Sequence, residues 1–359
     1  MISEIGVLSR FVPVEILHAA GVNPRFMWCH VHKESAEKSL GEMLRFINPY
    51  DRAVVGENKK NTISSYIIVQ TDCHAARTGE TLEASEAAVY SMGIAPLDYD
   101  SKESIEYFTH EIQFMKVHLE EKAGVKIKDD EIIKYLQDYD DIKEQLCKIK
   151  KLRDNNPGLL KGSQFVNLQF QTFRICERST KEAVVFLNET QKEYENKIPC
   201  DKSDDVSPKI MIISHVFIEE DLQMLEMIEK CGCIISEELA DEGLFDLHTD
   251  RSVSEDPIST IAKNRINSAY PPNFFQGSFR KRYEYAKSKI KNKQADAILW
   301  YQLSFDEIYD LEYSMWAKWA AEDEIPFLRL ETSYEETDEE RENMITRVES
   351  FVQMLEWRI

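Results

Sequence analysis

The feature that most limits what this chain can fold into is an alternation between Pro208 and Glu356 of short apolar runs with longer amphipathic segments. Ile210-Met211-Ile212-Ile213 is apolar without a break, is too short for a helix, and reads as a strand buried on both faces. Leu222, Leu225 and Ile228 follow at helical spacing. Cys233-Ile234-Ile235, Ala297 to Tyr301 and Phe327 to Leu330 read as three further strands. Ile308, Leu311, Met315 and Trp319 form a helical stripe between the last two, and Met344, Val348, Phe351, Val352 and Leu355 form another at the end. Strands alternating with helices of this length predict a parallel sheet covered on both faces. Ligands of such sheets sit outside the carboxyl ends of the strands. That rule makes Ser214-His215, Glu237-Glu238, Gln302 to Asp306 and Glu331 the expected floor of a site.

The first hundred residues repeat the pattern on a smaller scale. Val12 to Gly21 reads as a helix, with Pro13 in its first turn and Gly21 as its stop. Arg25 to Val31 reads as a strand, and Ala36 to Ile47 as a helix ended by Pro49. Ser65 to Thr71 is a clear strand that runs into Asp72-Cys73-His74. A helix over Thr81 to Ser91 and a strand over Gly93 to Leu97 complete the unit. The middle differs. Ile105, Phe108, Ile112, Met115 and Leu119 line one long helix, Gly124 breaks it, and Asp129 caps a second. Asn155-Asn156-Pro157-Gly158 is a turn, and helical patterns resume from Gly162 to about Tyr194. The polar stretch from Pro199 to Pro208 reads as a linker. With 359 residues, the expectation is an α/β chain of two flavodoxin-like parallel-sheet units, 1–100 and 205–359, around a helical middle at 101–204.

Composition narrows the function. A formal net charge of −21 argues against a broad basic surface for nucleic acid. No run of eighteen apolar residues is present, so no membrane span is expected, and the start lacks the pattern of a signal peptide. Seven scattered cysteines, an odd number without a disulfide-like framework, point to the cytoplasm and reduced thiols. Neither a Gly-rich phosphate loop nor a Gly-x-Ser-x-Gly elbow occurs. Cys73 stands where a parallel sheet binds ligands, and it reads either as a metal ligand or nucleophile or as a small buried hydrophobe. Cys29 also closes an expected strand, with His30 and His32 beside it, so Cys29 and Cys73 form a candidate metal pair on one rim. Cys231-Gly232-Cys233 opens a strand and reads as structural. Glu237, Glu238, Asp241 and Glu242 read as an acidic loop, either solvated or able to bind a metal. Lys263, Arg265, Arg280, Lys281 and Arg282 form a basic crossover that could meet a phosphorylated substrate handle, or simply cover a helix surface.

The order of several stretches resembles the subunits of the 2-hydroxyacyl-CoA dehydratase and benzoyl-CoA reductase superfamily. The stretches are Val12 to Gly21, Ile67 to Cys73, Lys122 to Asp129, Asp256-Pro257-Ile258 with Ala262 to Arg265, and Thr346 to Phe351. The resemblance implies two flavodoxin-like units, a related second subunit, and a 4Fe-4S iron–sulfur cluster held by cysteines from both units. It also implies an ATP-dependent activator that supplies one electron, and an acyl-CoA thioester on which radical chemistry occurs. Glu15, in the first stretch, joins Ser214, His215, Asp306 and Arg265 as candidate substrate-binding residues.

The chain departs from that pattern. Cys73 matches the first family cysteine, with His74 in place of the usual aspartate. The second is expected after a proline in the crossover, where Tyr270-Pro271-Pro272-Asn273 stands, and the third where Leu303 to Glu307 stands. A three-cysteine cluster cannot be built from the matching positions. The expectation is therefore a dehydratase or reductase subunit, with two alternatives: a cluster-deficient partner or scaffold, and a small-molecule or metal-binding protein on the same fold.

Overall fold

The computed structural model describes residues 3–60, 63–95, 98, 101–156, 158–197, 207–249 and 256–358. The chain begins with β1 (Glu4–Val7), α1 (Val14–Ala19), β2 (Asn23–Phe26), α2 (Ser35–Lys38), α3 (Pro49–Asn58), β3 (Ser65–Gln70), α4 (Cys73–Ala84) and β4 (Ala88–Gly93). Four helices follow, α5 (Lys102–Ala123), α6 (Asp129–Asn155), α7 (Gly162–Cys176) and α8 (Thr180–Asn196). The second sheet region contains β5 (Lys209–Val216), α9 (Leu222–Lys230), β6 (Ile234–Glu242), α10 (Pro257–Ile266), α11 (Ser278–Lys291), β7 (Ala297–Leu303), α12 (Glu307–Glu322), β8 (Phe327–Thr332) and α13 (Asp338–Glu356).

Two four-stranded sheets result, ordered β2-β1-β3-β4 and β6-β5-β7-β8, and every pairing in them is parallel. The order reverses direction between β1 and β3 in one sheet and between β5 and β7 in the other. Each reversal opens a crevice at the carboxyl ends of those strands.

Several local expectations shift. The strand expected over Arg25 to Val31 stops at Phe26, and Met27–Cys29 forms a 3-10 turn. Pro49 begins a helix rather than ending one: it sits at the first turn of α3 behind Asn48, whose side chain accepts the Asp51 amide. The helix expected over Thr81 to Ser91 is instead α4, which starts at Cys73, where Asp72 caps it. Glu86, at φ +67°, turns the chain into β4, so that strand lies earlier than the expected 93–97. Lys128, not Asp129, is the N-cap of α6. The expected linker lies outside the described residues apart from Ser207 and Pro208.

The acidic stretch of the second unit is the largest correction. Glu237 and Glu238 are not loop residues but mid-strand in β6, opposite Met211 and Ile212. Both are buried. Lys150 and Arg153, on α6, reach them at 2.8 and 2.9 Å. A carboxylate is tolerated in a strand interior when a cation reaches it there.

Alternation along β5 explains how the layers hold. Ile210 and Ile212 join a hydrophobic core that also contains the first sheet and the four middle helices. Met211 and Ile213 join a separate core on the other face, with Trp300, Tyr309 and Trp316. The unbroken apolar run is thus a strand whose two faces are both covered. The middle helices fill the shared side: α6 packs on α1, α8 and α10, and α7 on β2, β6 and α9.

Candidate functional site

Both crevices open onto one cleft. A single cavity is bordered by Phe11 from the loop after β1, Thr71 and Asp72 after β3, His215 near the end of β5, Asp241 and Glu242 at the end of β6, and Asp306 after β7. Pro272, Asn273 and Phe274, from the crossover between α10 and α11, close one side. The cavity measures about 20 Å³, room for about one water molecule.

Charge fills this cleft. His215 Nδ1 lies 2.5 Å from the Asp306 carboxylate, and the imidazole stacks on Tyr309. Burial disfavours the imidazolium, but Asp306, backed by Asp241 and Asp72, outweighs it and raises the His215 pKa to about 10. Asp306 is held low despite its own burial by His215 and by the Tyr309 amide, which it caps at 3.1 Å. The residue before it, Phe305, has φ +63°, a left-handed conformation that few bulky side chains adopt.

Beneath this pair lies a second network. Arg282 is fully buried and bonds Asp241 at 2.5 Å, Glu312 at 2.7 Å and the Pro271 carbonyl at 2.9 Å. Its guanidinium also stacks over Tyr270, 4.1 Å from the ring centre. The Tyr309 hydroxyl sits 2.7 Å from both Asp241 and the Ser214 carbonyl, with one proton to give to either. Glu242 crosses to the first unit, accepting from Ser9 Oγ at 2.6 Å and from the Arg10 amide at 2.5 Å. Gly243 follows it at φ +87°, where an added Cβ would lie 2.1 Å from the Phe217 carbonyl oxygen, so only glycine fits this turn.

The candidate residues separate into groups. His215 and Asp306 meet in the cleft. Ser214 is buried, and its hydroxyl donates to the Val216 carbonyl of its own strand at 3.0 Å. Glu15 on α1 and Arg265 on α10 form an ion pair at 2.8 Å that ties the two halves together away from the cleft. Cys73 is exposed at the first position of α4. A helix N-terminus usually promotes a thiolate, yet partial burial, Asp72 and Glu307 raise the Cys73 pKa. Cys29 is buried with its sulfur 4.0 Å from the Phe170 carbonyl oxygen, and burial and Glu177 push its thiol well up. The charged groups around Cys29 are Glu177, Arg174 and Glu219, while those around Cys73 are Asp72, Glu307 and Arg77. The two thiols thus sit in different surroundings.

A cysteine-held iron–sulfur cluster does not fit these side chains. The positions where the family pattern expects two more cysteines carry Asp306, bonded to His215, and a proline-rich turn whose Pro271 carbonyl is taken by Arg282. Among the described residues no three His, Cys, Asp or Glu side chains gather so as to hold a metal ion. Sequence reasoning missed Ser9, Arg10 and Tyr309, and it read Arg282 either as a contact for a phosphorylated substrate handle or as part of a helix surface, whereas Arg282 is buried. Arg282 did carry a signal, since it lies at an apolar position of α11 beside Tyr283 and Ala286.

No helix among the described residues is long and apolar enough to cross a membrane. No curated protein matches the chain. A family model described as 2-hydroxyglutaryl-CoA dehydratase, D-component, matches residues 10–355, which takes in the second sheet, three strands of the first, the middle helices and every residue that lines the cleft cavity. The chain belongs to the 2-hydroxyglutaryl-CoA dehydratase D-component family.

Proposed function

We propose that this chain is a subunit of a cytoplasmic 2-hydroxyacyl-CoA dehydratase-type complex that works beside a related second subunit and holds no four-iron cluster of the family type itself. The observation that carries this reading is the His215–Asp306 ion pair at 2.5 Å, seated in the crevice where the family pattern expects thiolates. A protonated imidazole bound to a carboxylate is a neutral, closed unit, and hard oxygen and cationic nitrogen are poor ligands for iron–sulfur clusters. The radical chemistry on the acyl-CoA thioester, and the electron from an ATP-dependent activator, then belong to the partner. This chain shapes one wall of the complex. Its candidate acyl-CoA contacts are Glu15, Ser214, His215, Asp306 and Arg265, and its candidate thiols are Cys73 and Cys29. The 1–100, 101–204 and 205–359 segments are proposed as its building units.

The test is anaerobic purification of the chain, with iron and acid-labile sulfide measured per chain. The expected result is less than one four-iron cluster. A full four-iron complement on the parent chain would overturn the reading, whether or not it survives Cys73→Ser. Co-purification with a cluster-bearing relative, and binding of an acyl-CoA only by the assembled pair, would support it.

A further inference from the structure

A second cavity, sharing no lining residue with the cleft, lies between the carboxyl ends of β1 and β2 and helices α6, α7 and α10. Its walls are apolar on one side, with Val7, Val12, Val14, Phe26, Phe173 and Phe245. Phe173 and Phe245 stack face to face with ring centres 3.9 Å apart. The other side carries hydrogen-bond donors without acceptors. Arg10 Nε and Nη2, Arg265 Nε and Trp28 Nε1 are all buried and unbonded. Trp28 is 1% exposed. Buried donors in native proteins nearly always have a partner, and an orphan costs about 1–3 kcal/mol. Four such atoms around one cavity need a reason.

The unbonded donors give the character of the missing partner, a hydrogen-bond acceptor. Arg10 Nη1 lies 3.4 Å from Asp246, and Arg265 is paired with Glu15. Lys143, on α6, also lines the cavity. Burial and the nearby Arg265 push its pKa down, against the pull of Asp246, Glu15 and Asp140. Three basic side chains, Arg10, Lys143 and Arg265, thus gather at the cavity among Asp246, Glu15 and Asp140, and the donors left unbonded on the two arginines and Trp28 call for an acceptor there.

We propose that this cavity binds a short-chain monocarboxylate, with its carboxylate on Arg10, Lys143, Arg265 and the Trp28 indole, and its alkyl tail against Phe173, Phe245 and the valines. The class follows from shape and polarity. The cavity measures about 50 Å³, the space of roughly four waters, which suits a two- to four-carbon acid. Phosphate and sulfate present oxygen in every direction and would set some of it against the apolar wall. A carboxylate has one polar end and one apolar end, as the cavity does. The inference shares Arg265 with the candidate acyl-CoA contacts of the proposed role but does not rest on that role, because its test needs neither the cleft nor a partner subunit.

The test is calorimetric titration of the full chain with sodium propionate, against sodium phosphate and sodium chloride at matched ionic strength. Saturable propionate binding is expected, with no comparable heat from phosphate or chloride. Lys143→Met should weaken it about tenfold or more, the loss of one charge-assisted contact. Methionine keeps the length and apolar stem of the lysine side chain, so this variant should keep its fold, which a melting curve checks. Trp28→Phe keeps the ring, removes one donor, and should weaken binding less. Absence of saturable propionate binding would overturn the proposal. So would equal binding by phosphate, or a folded Lys143→Met variant that binds propionate as tightly as the parent.

Discussion

Glu242, the last residue of β6, accepts the Ser9 hydroxyl at 2.6 Å, so the end of the second sheet holds the loop that leaves the first. Burial raises the Glu242 pKa to about 7, although Arg10 and Ser9 pull the other way. Between the ordinary value of 4.5 and about 7, the folded chain binds a proton that the unfolded chain has released. The stability this group adds is therefore complete below about pH 4.5 and is lost as pH rises through about 7. Urea unfolding of the parent and Glu242→Gln across that window should show the parent gaining on the variant as pH falls. The expected gain is on the order of 3 kcal/mol. A gap that stays constant with pH, or narrows on acidification, would count against this.

The His215–Asp306 pair titrates in a different window. With the histidine pKa raised from 6.5 to about 10, its contribution is complete below 6.5 and is lost as pH rises through about 10. Asp306→Asn removes the main cause of that shift and keeps a side chain able to cap α12. Comparing parent and variant by chemical denaturation from neutral pH to about 10 should show the parent's advantage, on the order of 3 kcal/mol, shrinking with alkali. An imidazole that titrates near 6.5 in the folded parent, followed by NMR, would remove the basis for this expectation.

Cys73 is exposed but not activated. Alkylation by iodoacetamide, followed by mass spectrometry, should be slow at neutral pH and accelerate into the alkaline range. Asp72→Asn removes a repelling charge while leaving a residue that caps α4, so it should speed the reaction several-fold at neutral pH. Cys29, Cys176 and Cys233 are buried and should react only on unfolding. Rapid labelling of Cys73 at neutral pH in the parent would show that its surroundings favour the thiolate.

Arg282 holds two buried carboxylates. Arg282→Met leaves Asp241 and Glu312 without their cation and should cost about 3–5 kcal/mol in denaturant unfolding. Adding Asp241→Asn and Glu312→Gln should recover part of the loss, because uncompensated charge is its main cause. A single-variant cost below about 1 kcal/mol would mean that the network contributes little.

The sheets were legible because their strands are covered on both faces: Ile210 to Ile213 and Ala297 to Tyr301 carry no polar residue that could mislead. β6 was harder to read. Glu237 and Glu238 look like a loop in sequence because the cations that neutralise them, Lys150 and Arg153, lie on a distant helix. Pro49 was ambiguous for a different reason: proline suits both the residue after one helix and the first turn of the next. At the site, the strand-end rule located His215 and Asp306 without revealing that they face each other. Their pairing depends on two strands that lie side by side while their residues are far apart in sequence. Arg10, Lys143 and Trp28 belong to no motif, and only packing brings them around one space.

The core that runs from the first sheet through the middle helices to one face of β5 has an evolutionary consequence. Neither half owns its inner surface, since each is finished by side chains that the other supplies. A recombination event that swapped one half with a relative's would import a surface shaped for a different neighbour. It would survive only if the middle helices travelled too, or if both sides changed together. Such a chain is expected to diverge as a single inherited block, drifting at its exposed rims while its two sheets stay bound to a common history.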